Sequence, residues 1–124
     1  MRMAIKFKKH GEIDSLTDKV IQFRDKRNWR QFHNPKDVAL SLVLEAAEVM
    51  EHFQWKSKED VEKYIETHRN DIAEELADVL YWVLLMSHDL DIDIGKALKE
   101  KIRKNKQRYP VKKARGRYTK YTQL

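Results

Sequence analysis

Apolar residues recur at helical spacing along nearly the whole chain, which predicts helices and little else. Ser15 precedes a first segment with Leu16, Val20, Ile21 and Phe23 on one side, running to about Arg27. Trp29 to Asn34 reads as a connection. Asn34 followed by Pro35 is a helix start, because Asn can cap and Pro gives up only an N–H that would be unpaired there. That helix should reach about Gln54. A short polar helix from Lys58 to about Thr67 precedes a long one from Asn70 to about Asp89, and the two can be continuous. Asp93 caps a last helix from Ile94 to Gln107. Pro110 ends it, and the rest, rich in Lys, Arg and Tyr, reads as an extended tail.

Two of these helices are too apolar for a small chain standing alone. From Val38 to Phe53, 11 of 16 residues are apolar, and from Ile72 to Met86, 12 of 15 are. A helix apolar nearly all round must be covered nearly all round, so a second copy of the chain is expected to pack here. The fold class expected is all-α, a bundle of four to five helices completed by oligomerisation, as a homodimer or homotetramer.

The 124 residues allow one domain with a modest core. With no Cys and only 3 Gly and 2 Pro, a disulfide scaffold, a thiolate zinc site and a many-turned β-sandwich are excluded. The longest strictly apolar run, Val79 to Met86, is far short of the roughly 20 residues that cross a bilayer. The basic stretch MRMAIKFKKHGE lacks the apolar core and cleavage site of a secretory signal, so a cytoplasmic protein is expected. Net charge is +6, but residues 1–95 carry 14 Lys/Arg against 19 Asp/Glu and residues 96–124 carry 12 against 1. An acidic body with a basic tail suits a polyanion or a solubilising tail equally.

The exceptions to apolarity inside the two apolar helices point to chemistry. Glu45 and Glu48 are spaced i, i+3, and so are Glu75 and Asp78. Each pair projects from one helix face. Ser41 and His52 extend the first stripe, Asp71 and Trp82 the second. If the helices lie antiparallel, Glu48 is about six residues before one end and Glu75 about five after the other start, so the pairs sit at one height. Four carboxylates would then converge, and like charges that close call for a cation. All-oxygen ligands favour Mg²⁺ or Mn²⁺ over zinc. A di-iron bundle would need Glu-x-x-His, and no Glu here has a His three residues later. Lys101, Asn105 and Arg108 share one face of the last helix, followed by Tyr109, and could meet a phosphate or simply be solvated. Trp29, Phe32, His33 and Trp55 lie in or near connections, where a base could stack or a ring could close a helix end.

These residues resemble a known family. LVLEAAEVMEHFQW (42–55), EELADVLYW (74–82) and KIRKNKQRYPV (101–111) are similar to the all-α nucleoside triphosphate pyrophosphohydrolases of the MazG-like superfamily. With NWRQFHNPKD (28–37), the likeness is to the dCTP pyrophosphatase branch and covers about residues 14–122. It implies hydrolysis between the α and β phosphorus atoms, giving a monophosphate and pyrophosphate, with dCTP or a related or modified dNTP as substrate. It further implies that Glu45, Glu48, Glu75 and Asp78 bind Mg²⁺, with Glu45 or Glu48 orienting the water. Lys101, Asn105, Arg108 and Tyr109 would hold the triphosphate, and Trp29, His33, Trp55 and Trp82 the base. One departure is Trp82, where the branch commonly has Tyr; here Tyr is at 81. Residues 1–13 match nothing and read as an extension, with 14–109 the domain and 110–124 a basic tail. The competing reading, a helical nucleic-acid-binding or scaffold protein, explains the tail and leaves the acidic pairs unexplained.

Overall fold

Three side chains define where the three longest helices after the first begin. Asn34 Oδ1 accepts the Asp37 N–H at 3.0 Å, Ser57 Oγ accepts the Asp60 N–H at 3.2 Å and Asp93 Oδ1 accepts the Lys96 N–H at 3.0 Å. Each satisfies a donor that the first helical turn leaves unpaired. The computed structural model describes residues 11–124, and its elements are α1 (Glu12–Lys26), a 3₁₀ turn (Arg30–Phe32), α2 (Pro35–Glu51), α3 (Lys58–Asp89), α4 (Ile94–Arg108), α5 (Val111–Ala114) and a 3₁₀ turn (Tyr121–Gln123). No strand occurs among the described residues, as the helical spacing predicts. No helix among them is long and apolar enough to cross a membrane. Ten of the thirteen residues read as an N-terminal extension lie outside the described residues, and the last two, Glu12 and Ile13, already belong to α1.

The chain divides into two compact units, one ending at Asp91 and the other spanning Ile92–Leu124. In the first, α2 and α3 form the main helix pair, with α1 against α3. Val38 meets Met86 and Asp89 around one cavity, while His52 bonds Tyr64, so α2 runs forward as α3 runs back. α3 is one helix with a break at His68, where φ is −123° and ψ is 19°. His68 Nδ1 lies 3.0 Å from the Tyr64 carbonyl and its ring stacks on Tyr64 at 3.8 Å, which bridges the break. The two helices read from sequence are thus continuous, and α2 stops at Glu51, three residues earlier than expected.

Within this unit the buried hydrophobic residues are Val38, Leu84 and Leu85. Leu40, Val43 and Leu44 on α2 and Leu76 and Leu80 on α3 are exposed. The apolar excess of these helices is therefore not covered among the described residues.

In the second unit, α4 ends with the Tyr109 N–H on the Asn105 carbonyl at 2.8 Å. The expected extended tail is instead folded into α5, a turn through Gly116 at φ 75° and the closing 3₁₀ turn. Tyr121 is the reason: its ring packs edge-on to Tyr109 at 5.8 Å, and the Arg108 guanidinium lies 4.7 Å above it.

Candidate metal centre and aromatic cavity

The antiparallel pairing of α2 and α3 brings Glu45, Glu48, Glu75 and Asp78 together, with one oxygen from each lying within 4.8 Å of all the others. The i, i+3 spacing puts both members of a pair on one face, and the hairpin turns the faces toward each other. Glu45 Oε2 and Glu75 Oε2 are buried and have no hydrogen-bond partner. Electrostatics bears the strain of this arrangement. A hydrogen bond with Glu48, which needs a proton, pushes the Glu75 carboxyl up to about 7, with burial and the charges of Glu48, Asp78 and Glu45 adding to it. Burial, Glu48 and Asp78 also raise Glu45, while the Trp82 indole N–H works the other way. Unpaired oxygens on converging carboxylates form a donor set that a hard cation fits.

Two cavities meet this cluster. One, of about 500 Å³, has Glu45 and Asp78 on its wall together with Phe23, Trp29, Tyr81 and Trp82, and α1 adds Lys19 and Val20. The other, of about 460 Å³, is polar and has Glu48, Glu51, His52, Tyr64 and Glu75 around it. His52 Nδ1 and the Tyr64 hydroxyl are 2.6 Å apart.

Of the aromatic residues singled out in the sequence, Trp29 and Trp82 stand in the first cavity beside the carboxylates. His33 packs edge-on to Trp82 at 5.3 Å but faces a separate cavity of about 190 Å³ with Asp89 and Arg30, and its Nδ1 is buried without a partner. Burial and the Arg24 charge hold its pKa below the usual histidine range. Phe32 is exposed in the 3₁₀ turn. Trp55 is 92% exposed, in a turn with φ 71°, and lines neither cavity. Lys101, Asn105, Arg108 and Tyr109 belong to the second unit, all exposed along α4 and its end.

Four residues around the aromatic cavity escape the sequence reading in their role there: Lys19, Val20, Phe23 and Tyr81. Val20 and Phe23 stand on the apolar side of α1 and read as core. Tyr81 sits inside a continuous apolar run, where nothing in the pattern separates a cavity wall from a packed ring.

The profile of the MazG-like family matches residues 40–124. The dCTP pyrophosphatase 1 of Rattus norvegicus is 38% identical over 105 residues, covering 83% of this chain and 62% of that protein. That of Mus musculus is 34% identical over 121 residues, covering 96% of this chain and 71% of that protein. The chain thus spans less than two thirds of the rat relative's length. A crystal structure of a pyrophosphatase from Archaeoglobus fulgidus superposes with a TM-score of 0.77 at 36% identity, covering 83% of this chain and 96% of that one. On these grounds the chain belongs to the MazG-like family.

Proposed function

We propose that this protein is a nucleoside triphosphate pyrophosphohydrolase, dependent on Mg²⁺ or Mn²⁺, that cleaves dCTP or a related or modified dNTP between the α and β phosphates. The observation that carries the reading is the cluster of four carboxylates, with buried unpaired oxygens, on the wall of an aromatic cavity. The names of the mammalian relatives support the substrate class. A bound Mg²⁺ supplies charge for the phosphoryl oxygens and lowers the pKa of a coordinated water. Glu45, Glu48, Glu75 and Asp78 would hold it, and Glu45 or Glu48 would orient the attacking water. Attack by water at one phosphorus of the α–β bridge would break the bridging P–O bond of that phosphorus, with the water's proton passing to solvent through Glu45 or Glu48. Trp29 and Trp82 face the base in the aromatic cavity, with His33 and Trp55 assigned to base recognition from the family likeness. Lys101, Asn105, Arg108 and Tyr109 hold the triphosphate, where cations offset charge on the leaving pyrophosphate.

The active form is a homo-oligomer, a dimer or tetramer, because Leu40, Val43, Leu44, Leu76 and Leu80 are exposed in one chain. Pyrophosphate release from the common and modified dNTPs with Mg²⁺ tests the activity, and no release from any of them refutes it. Light scattering at micromolar concentration tests the assembly; a mass near that of one 14.9 kDa chain refutes it.

A further inference from the structure

Arg24 is 0% exposed, a fully buried cation that the proposed reaction does not use. Its Nη1 donates to Asp89 Oδ2 at 2.6 Å and its Nε to Asp25 Oδ1 at 3.1 Å, while Nη2 is buried without a partner. Asp89 is the last residue of α3, so the guanidinium ties the end of α1 to the end of α3. Arg24 also acts through its backbone. Its carbonyl accepts the N–H of Arg27 at 3.1 Å and of Trp29 at 3.2 Å, across the turn in which Asn28 takes φ 55°.

The aromatic cavity lies between the same two elements. Phe23 and Trp29, edge-to-face at 5.7 Å, stand on the α1 side; Tyr81 and Trp82, at 5.2 Å, stand on α3. Among the described residues one ring pair joins the two sides, Phe23 to Tyr81 at 6.2 Å and 90°. Edge-to-face ring pairs are individually weak, so rings alone hold such a gap loosely. A bond from a buried guanidinium to a carboxylate is directional and stiff. Arg24 does not line the cavity.

We propose that Arg24 is a positioning residue that fixes the spacing between the two aromatic walls, and thereby which nucleobase the cavity accepts. This rests on reading the cavity as the nucleobase site. Lysine in place of Arg24 keeps the charge but loses the planar fork, so the α1 wall and Trp29 shift relative to α3.

The test uses full-length protein. Pyrophosphate release from dNTPs by the parent chain is measured first, and its absence refutes the functional reading and this inference together. Binding of the four deoxynucleoside monophosphates and of tripolyphosphate is then compared by calorimetry for the parent, Arg24→Lys and Asp89→Asn. Binding of the preferred monophosphate should weaken about tenfold, with the spread among bases narrowed and tripolyphosphate changed less than about twofold. Tryptophan emission of the free protein should shift with it. If nucleotide turnover is present but the base spread is unchanged, Arg24 has only a structural role. Equal weakening of monophosphate and tripolyphosphate binding overturns the proposal too, since that marks general loosening. Should Arg24→Lys not fold, Asp89→Asn, which keeps the side-chain shape, decides alone.

Discussion

α3 carries two groups of partly buried charge, and they are resolved in opposite ways. At its C-terminal end Asp89 meets the buried Arg24 at 2.6 Å, and charge is answered by charge within the chain. Near its middle Glu75 and Asp78 meet Glu45 and Glu48, and charge is answered by more of the same sign. Removing water from a charge is costly, so a chain that buries like charges together without a partner stores repulsion that a ligand can release. The first group pairs its opposite charges within the chain. The second is a set of carboxylate oxygens that a hard cation fits.

The largest expected effect comes from making the second group resemble an ordinary polar cluster. Glu48→Gln and Asp78→Asn keep the shape and lower the charge, so dNTP hydrolysis with Mg²⁺ should fall by at least about 100-fold. Without metal the melting temperature should hold or rise, because repulsion is relieved. Hydrolysis at the parent rate would place the chemistry elsewhere, and a steep fall in metal-free Tm would make the carboxylates structural. The first group should respond the other way. Arg24→Ala leaves Asp89 without its cation and should cost about 3 kcal/mol in urea unfolding. A change within error would mean that solvent already screens the pair.

The two groups also differed in how far the sequence disclosed them. The carboxylates were legible because each pair breaks an otherwise apolar helix at i, i+3, and a hairpin between neighbouring helices supplies the rest. Helix starts at Asn34 and Asp93 were legible for an equally local reason, since a cap acts within three residues. Arg24 was not, one cation among 26, with a partner 65 residues away. Its signal was position: it follows Ile21 by three and Val20 by four, on the side of α1 otherwise read as apolar. The break at His68 and the packing of the tail's Tyr121 on Tyr109 depend on ring contacts that periodicity does not encode.

A third charged region, the basic face of α4, is exposed, but Arg108 there also packs on Tyr121, so urea unfolding of the variant is measured beside its activity. Arg108→Ala should slow dNTP turnover about tenfold, through lost cation and hydrogen bonds to phosphate, with deoxynucleoside monophosphate binding much less affected. If α4 serves nucleic acid instead, hydrolysis stays at the parent rate and the salt slope of oligonucleotide binding falls by about one unit. Pyrophosphate-release kinetics beside a salt titration of a labelled oligonucleotide separate the two. Tight, salt-resistant oligonucleotide binding with unchanged kinetics would overturn the enzyme reading of this helix.

The smallest effect is the most direct comparison of the two groups on α3, because pH should move them in opposite directions. Asp89 sits below its ordinary 3.8: burial alone would raise it, but the hydrogen bond and charge of Arg24, aided by His88, outweigh that. Its contribution is present above 3.8 and lost as pH falls through the lowered value. Glu75 is raised from 4.5 to about 7, and Glu45 is raised as well. Between 4.5 and about 7 the folded chain therefore holds protons that the unfolded chain has released, so stability falls as pH rises through that window and levels off above it. Metal-free protein should be most stable between these two limbs, near pH 4 to 5. Saturating Mg²⁺ should flatten the upper limb, since a bound cation takes the place of the shared proton, and binding at pH 6 should release protons that calorimetry in buffers of different ionisation enthalpy detects. Glu75→Gln should weaken the upper limb and leave the acid limb intact, while Asp89→Asn should do the reverse. A metal-free Tm that climbs steadily from pH 5 to pH 8 would show that the four carboxylates do not repel one another as their geometry requires.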